Sequence, residues 1–99
     1  MENPIEHLDK VYDSRIRLGI MSVLMVNEWV DFNSFKELLE TTDGNLASHL
    51  KALEKKELII VKKQFIRRKP KTSYRATAKG KISFQNHLNA LEKIIKEQK

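Results

Sequence analysis

Cysteine is absent from this 99-residue sequence, which excludes disulfide bridges and thiolate metal ligands. Proline and glycine are scarce, with two and three residues, so the chain lacks the composition of disordered or loop-rich proteins. No apolar run approaches the ~20 residues of a membrane-spanning helix, and the N-terminus has no basic start followed by an apolar stretch. We therefore expect one domain over residues 1–99, with a cytoplasmic location and no membrane contact.

The sequence also lacks the motifs of the common catalytic and cofactor sites. It contains no nucleophile elbow, no phosphate-binding glycine loop and no identifiable acid–base pair. His7, His49 and His87 are far apart and form no pair on one helix turn, which argues against metal sensing but leaves a site shared between subunits open. We expect no enzyme activity, no cofactor and no metal site.

Negative charge is nearly missing from one third of the chain. Residues 51–81 contain twelve Lys or Arg and two Asp or Glu, whereas residues 1–50 contain four and nine. With so few acidic partners nearby, these cations form a positive face whose field attracts a polyanion. A solvated lysine surface is the alternative, and we consider it the weaker one.

Apolar spacing predicts a mainly helical α+β domain. A leading helix is expected over residues 3–13, and Ser14 is placed to cap a central core helix that reaches Asn27. After a short extended piece at residues 29–32, the pattern Ser34-x-x-Glu37 resembles a capping box for a helix over residues 34–40. Thr42 then caps a longer helix over residues 43–56. A short helix, a turn and a longer helix predict a helix-turn-helix.

The longer helix has two distinct faces. Leu46, Leu50 and Leu53 share one stripe, and the opposite stripe carries small polar residues near the N-terminus followed by lysines. Such a face is suited to the major groove of DNA, although His49 at its border is explained at least as well by packing. The candidate DNA contacts on this helix are Thr42, Asp43, Gly44, Asn45, Ser48, His49, Lys51 and Lys55.

A basic hairpin follows the helix-turn-helix. Residues 58–66 are rich in β-branched residues and predict a strand, and residues 72–76 predict its return, with a tip at residues 67–71 that contains four cations. This tip is placed to contact the phosphate backbone or the adjacent minor groove. The candidate contacts, within a segment of about residues 62–75, are Lys63, Arg67, Arg68, Lys69, Lys71 and Thr72.

The last predicted helix has more apolar surface than a small core needs. Thr77 can cap it, it extends over residues 78–97, and its apolar residues recur at spacings of four, three and four, with Ile82 and Ile94 widening the stripe. We expect a homodimer rather than purely internal packing. The candidate dimer residues, with one from the leading helix, are Leu8, Phe84, Leu88, Leu91, Ile94 and Ile95.

Taken in order, these segments resemble the short winged-helix transcriptional regulators of the MarR-like and ArsR-like type. The resemblance is carried by residues 17–21, 42–46, 49–56, 65–75 and 77–80. It implies a winged helix-turn-helix with a two-stranded wing and a long C-terminal dimerisation helix. It also implies sequence-specific binding to double-stranded DNA, with repression the favoured outcome and any small-molecule effector unspecified. Ala47 departs from the pattern, because many such proteins have a serine there.

Two other functions fit parts of the sequence. A winged helix can serve as a protein-binding adaptor, but the concentrated positive charge argues against that role. An RNA-binding module needs aromatic stacking platforms, and only Phe65 and Tyr74 lie in the basic segment, where both are also candidates for the core. Double-stranded DNA is therefore the expected partner.

Overall fold

The computed structural model describes residues 3–97, which form four helices and one small sheet. A 3-10 turn, Lys10–Tyr12, precedes the first helix. The helices are α1 (Arg15–Val26), α2 (Phe32–Leu39), α3 (Asp43–Lys55) and α4 (Ala78–Glu97). The strands are β1 (Val30–Asp31), β2 (Ile59–Ile66) and β3 (Lys69–Ala76). This architecture confirms the predicted mainly helical α+β class.

Three helices begin at the predicted caps. The Ser14 hydroxyl accepts a hydrogen bond from the Arg17 amide at 3.3 Å, and Thr42 accepts from the Asn45 amide at 3.2 Å. Thr77 accepts from the amide of Gly80 at 2.9 Å. Each hydroxyl satisfies a backbone donor that the first helical turn cannot pair internally. The starts of α1, α3 and α4 are thus set by local sequence.

The predicted leading helix over residues 3–13 is wrong. This segment forms turns and then the 3-10 turn Lys10–Tyr12. The Asp9 amide donates to His87 Nδ1 on α4 at 3.2 Å, and the Asp9 carboxylate accepts from the Val11 amide at 2.9 Å. Both amides thus bind side chains instead of the backbone carbonyls of a helix. The contact with α4 therefore takes the place of the helix that the apolar spacing predicted.

The predicted start of α2 is also wrong. The helix begins at Phe32 and its cap is Asp31, whose carboxylate accepts from the Ser34 amide at 3.2 Å and the Ser34 hydroxyl at 2.7 Å. The hydrogen bond from the Ser34 hydroxyl is the main reason that the pKa of Asp31 lies below its usual value. Ser34 therefore supports the cap from inside the first turn.

The sheet has three antiparallel strands in the order β1-β3-β2. Val30 pairs with Tyr74 at one edge, while β2 and β3 pair continuously from Ile59 opposite Ala76 to Ile66 opposite Lys69. The expected short extended piece therefore becomes a third strand beside the predicted two-stranded hairpin. The loop between β2 and β3 contains only Arg67 and Arg68, rather than the five residues expected.

The core lies between α1, α3, the base of the hairpin and the first half of α4. Ile20, Met21 and Leu24 of α1 are buried at its centre, as the predicted central helix requires. Phe84 closes the α4 side, with its ring centroid 5.2 Å from that of Tyr12 in an edge-to-face arrangement. None of the helices within residues 3–97 combines the length and apolar content that crossing a bilayer demands.

A tight junction joins the hairpin base to α4. The Thr77 amide donates to the Leu58 carbonyl at 3.0 Å, and the Thr77 hydroxyl donates to the Glu57 carbonyl at 2.7 Å. Gly80 is buried directly against this backbone, and a Cβ at that position would lie 2.0 Å from the Leu58 oxygen. The junction fixes where the hairpin leaves the domain.

Candidate nucleic-acid interface

Helix α3 presents its polar face outward. Leu46, Leu50 and Leu53 are buried, which confirms the predicted inward stripe. The opposite face is exposed along its full length, and its members are Gly44, Asn45, Ala47, Ser48, Lys51 and Lys55. The helix therefore offers small polar groups near its N-terminus and two ammonium groups toward its C-terminus.

An ion pair modifies the charge at the start of α3. Lys36 Nζ of α2 lies 2.8 Å from the Asp43 carboxylate, and both side chains are exposed. Sequence reasoning missed Lys36, since only the packing of α2 beside α3 brings it to this position. Asn45 donates from Nδ2 to the Thr41 hydroxyl at 2.9 Å. The ion pair with Lys36 reduces the negative potential that Asp43 would otherwise direct at a polyanion.

His49 lies between α3 and α1 rather than on the open face. Arg17 donates from Nε to His49 Nδ1 at 3.0 Å, and from a terminal nitrogen to the Val11 carbonyl at 3.4 Å. Partial burial, with the charge of Arg17 adding to it, lowers the pKa of His49 below its ordinary value. The geometry favours the packing interpretation of His49, with the neutral imidazole holding α3 against α1.

The hairpin carries cations on both faces and at its tip. Cross-strand register places Lys63 opposite Thr72 on one face, and Lys71 opposite Gln64 on the other. Thr72 is half-buried and the predicted hairpin cations are exposed. Arg67 and Arg68 form the turn itself, with φ angles of 53° and 67°. Positive charge therefore surrounds the distal half of the hairpin.

Two further cations near the hairpin base are already engaged. Lys62 Nζ lies 4.2 Å from the ring centroid of Trp29, and the Arg75 guanidinium lies 5.8 Å from the same ring. Arg75 also approaches the Glu28 carboxylate at 3.6 Å. These contacts give Lys62 and Arg75 a structural role, because a cation over an aromatic face is attracted by the quadrupole of the ring.

The remaining cations of α3 and the distal hairpin have no carboxylate partner within residues 3–97. The ion pairs found there involve other basic residues, namely Lys36, Arg75, Lys79, Lys93 and Lys96. The unpaired set, called the basic ridge below, comprises Lys51, Lys55, Lys63, Arg67, Arg68, Lys69 and Lys71. Since no carboxylate lies within ion-pair distance of these cations, their field extends into solvent and favours a polyanionic ligand.

The two aromatic residues of the basic segment have different environments. Tyr74 is buried, with its ring centroid 6.2 Å from that of Phe35. Phe65 is 80% exposed. The expectation that both could join the core therefore holds for Tyr74 alone.

The predicted dimer residues also differ in how far they are buried. Phe84 is buried in the domain's own core, whereas Leu88 and Leu91 keep about a third of their surface exposed, and Ile95 is 72% exposed. Leu8 and Ile94 are half-buried. Five of the six residues thus retain surface that a second chain could cover.

Two of the three histidines lie close to the same surface cavity. His7 and His87 line one surface cavity of about 640 Å³, together with Asp9 and residues of the first half of α4. His87 is buried, and its Nδ1 accepts the hydrogen bond from the Asp9 amide. Within residues 3–97, no three side chains of metal-binding type are grouped so that they could hold an ion.

A helix-turn-helix followed by a hairpin and a long helix is the arrangement that the sequence resemblance implied. A family model described as a winged helix DNA-binding domain matches residues 16–95. The chain belongs to this winged-helix family. The match extends from the second residue of α1 to the last turn of α4, so it takes in parts or all of the four helices and all three strands.

One protein sequence and one solved structure resemble this chain over most of its length. The uncharacterized protein MJ0432 of Methanocaldococcus jannaschii is 37% identical over 87 residues, which cover 88% of this chain and 95% of that protein. The transcriptional regulator homologue protein from Pyrococcus horikoshii superposes with a TM-score of 0.77 at 30% identity, covering 89% of this chain and 92% of the other.

The MarR-like part of the resemblance is confirmed at the level of fold. A mutant MarR from Escherichia coli superposes with a TM-score of 0.69 at 15% identity, covering 97% of this chain and 74% of MarR. By its family the chain is therefore a winged helix DNA-binding domain, and it shares the fold of MarR.

Proposed function

We propose that the protein is a sequence-specific regulator of transcription that binds double-stranded DNA as a homodimer. The basic ridge is the observation that carries this proposal, because seven cations without a carboxylate partner lie on α3 and the following hairpin of a chain that belongs to a family of DNA-binding domains. Such a surface complements the regular phosphate charges of B-form DNA. The proposed function is binding rather than catalysis, and the proposed location is the cytoplasm.

Helix α3 would act as the recognition helix in the major groove. Asn45 and Ser48 have the donors and acceptors that bond to base edges, and both lie on its exposed N-terminal half. Lys51 and Lys55 further along the helix would meet phosphates. The hairpin would act as the wing, with its arginines on the flanking backbone or in the minor groove.

Dimerisation would present two recognition helices to one face of the duplex. The exposed apolar residues of α4, including Leu88, Leu91 and Ile95, would form the contact between subunits. Two copies related by a twofold axis would read half-sites about one helical turn apart, so the expected target is an imperfect palindrome. Bound across a promoter, the dimer would repress transcription by blocking polymerase.

Charge reversal in the wing tests the electrostatic part of this function. The double variant Arg67→Glu, Arg68→Glu is expected to weaken binding to every duplex and to flatten the salt dependence by ~0.9 logarithmic units per lost phosphate contact. The matched control is Lys10→Glu, Lys81→Glu, which makes the same net charge change outside α3 and the hairpin. Equal effects of the two variants in a salt titration would contradict the proposed contact between the hairpin tip and phosphates. A wild type that binds no duplex in a gel-shift experiment at ~50 mM salt would favour a protein-binding adaptor.

Truncation on α3 tests sequence readout. Asn45→Ala and Ser48→Ala are each expected to cost roughly 1–3 kcal/mol on the preferred site, with little loss on random duplex, because base contacts discriminate and phosphate contacts do not. The preferred site is first selected from a random duplex pool. Losses of the same size on both duplexes would argue against base readout by α3.

A further inference from the structure

Phe65 is an aromatic ring that the fold leaves in solvent. Its side chain is 80% exposed, on a hairpin where Ile59 is buried and Val61 is half-buried. Residues 59, 61, 63 and 65 of a strand project from the same face, so Phe65 continues the core-facing side of β2 beyond the end of the core. Pro70 is its cross-strand partner. The pair makes a small apolar platform near the tip of the hairpin.

Cations flank this platform along the hairpin. Lys63 precedes Phe65 by two positions on the same face, Arg67 and Arg68 follow it in the turn, and Lys69 precedes Pro70 on the opposite face. None of these four has a carboxylate partner within the described chain. A partner for the ring must therefore be densely anionic and must also offer apolar surface within a few ångströms of its charges. The minor groove of DNA meets both conditions, since sugars and base edges line a channel between two rows of phosphates.

The position of the ring relative to α3 agrees with that partner. Strand β2 contacts α3, and the face of the hairpin that bears Phe65 is the one that packs on the domain core. The two-residue turn and the continuous pairing of β2 with β3 keep the hairpin extended, so the ring is not able to fold back into the core. Phe65 is thus held near the end of a stiff arm whose strand β2 contacts the proposed recognition helix.

We propose that Phe65 is an apolar wedge that enters the minor groove next to the half-site occupied by α3 and bends the duplex. The proposal rests on the proposed function and extends it, since it assigns the wing a role in deforming DNA besides holding phosphates. Apolar wedges partly unstack base steps, and pyrimidine–purine steps such as TA and CA unstack most readily. Phe65 therefore gives a preference for flexible steps at positions that α3 does not reach.

This role is tested by measuring how far the protein bends a selected duplex. The bend is measured by energy transfer between dyes on the two ends of the duplex. Wild type is compared with Phe65→Ala, with Phe65→Leu, which keeps an apolar wedge, and with Val26→Ala, which removes an equally exposed apolar side chain at the end of α1. We expect Phe65→Ala to bind about tenfold more weakly, to bend the duplex less and to lose discrimination between TA and AA steps. Its salt slope should stay unchanged, because no charge is removed.

The control outcomes separate this proposal from the function on which it rests. Phe65→Leu should keep most of the bend, and Val26→Ala should match the wild type. Duplex binding with a bend that does not depend on residue 65 would overturn the wedge and leave the regulator intact. A shift of Phe65→Ala from dimer to monomer, or a loss confined to single-stranded DNA, would also overturn it. A wild type that binds no duplex would overturn both proposals.

Discussion

The hydrogen bond between Arg17 and His49 joins α1 to α3, so the protonation state of one imidazole affects how firmly the proposed recognition helix is held. Arg17 Nε donates to Nδ1, which must be unprotonated to accept. The pKa of His49 is lowered in the folded protein by burial and by the guanidinium charge. Folding therefore favours the neutral imidazole.

The expected consequence is a loss of stability in mild acid. Because the folded pKa of His49 is below the unfolded value of about 6.5, its stabilising effect is complete above that pH and is lost as the pH falls toward the folded pKa. Urea denaturation of the wild type between pH 7.5 and 5.5 should show this loss, and His49→Gln should reduce it. His7→Gln, which alters an exposed histidine, is the control. A pH dependence unchanged by His49→Gln would show that the contact does not titrate.

Gly80 and Gly44 are two helical glycines with opposite requirements. Adding a Cβ at Gly80 would place it 2.0 Å from the Leu58 carbonyl oxygen, whereas nothing lies within 4 Å of a Cβ at Gly44. We predict that Gly80→Ala destabilises the fold by about 2–4 kcal/mol, because backbone must move at the hairpin junction. Gly44→Ala should stabilise it by about 0.5–1 kcal/mol. Thermal denaturation compares the two, and a Gly80→Ala variant as stable as wild type would contradict the tight junction.

At the scale of elements, the turn at the tip of the hairpin has a strained backbone conformation at residues that are proposed to contact DNA. Arg67 and Arg68 both have positive φ angles in a two-residue turn, the geometry that Asn-Gly adopts most easily. Side chains with a Cβ are strained there, by about 1 kcal/mol or more per residue. The two arginines are nevertheless at the tip, where the proposed contact with DNA needs cations.

Replacing this turn should therefore move stability and binding in opposite directions. Arg67→Asn with Arg68→Gly is expected to raise the free energy of unfolding by about 1 kcal/mol, while duplex affinity falls because two cations are lost. Arg67→Lys with Arg68→Lys keeps both charge and strain, and should leave stability nearly unchanged. Chemical denaturation and duplex titration of the same samples make the comparison. Equal stability of the Asn-Gly variant and the wild type would show that the turn stores no strain.

Elements differed in how far the sequence could specify them. The caps Ser14, Thr42 and Thr77 were predictable, because a hydroxyl bonding three residues ahead is a local event. The segment before α1 was not, since its form depends on His87, which lies 78 residues beyond Asp9 in the chain. Strand β1 was expected only as an extended piece, because a two-residue strand exists through its pairing with β3.

The candidate interface was predictable to a similar degree. Residue type and helical spacing were sufficient to predict that the lysines of α3 and the hairpin cations are exposed. They were not sufficient to predict that Lys36 pairs with Asp43 or that Arg17 holds His49, because each contact depends on how two helices pack. Phe65 and Tyr74 are similar as sequence signals, and only the length of the hairpin relative to the core separates them.

At the scale of the whole molecule, the chain is longer than its core. Its extents are 58 × 26 × 21 Å, and the radius of gyration of 15.2 Å exceeds the ~13 Å of a compact 100-residue domain. The buried residues of α4 end at His87, although the helix continues to Glu97. The second half of α4 thus carries Leu91 and Ile95 with much of their surface in solvent. Such a surface is the natural place for the proposed subunit contact.

Disrupting that surface should change both assembly and DNA binding. Leu91→Glu is expected to convert dimers into monomers in sedimentation experiments, because a carboxylate would be buried in the contact. Binding to a palindromic site should fall by more than tenfold, with a smaller loss on random duplex. Val26→Glu, which places the same charge on an exposed residue of α1, is the control. A Leu91→Glu protein that stays dimeric would exclude this part of α4 as the contact.

Amino-acid order alone determined the caps of α1, α3 and α4, the buried stripe of α3 and the concentration of positive charge after residue 50, because each depends on neighbours within one or two turns or on composition. Only the tertiary structure decided which cations stay unpaired, which aromatic ring enters the core and where α4 leaves the domain. These outcomes depend on distances between segments far apart in the chain. Local propensity holds no information about those distances until packing fixes them.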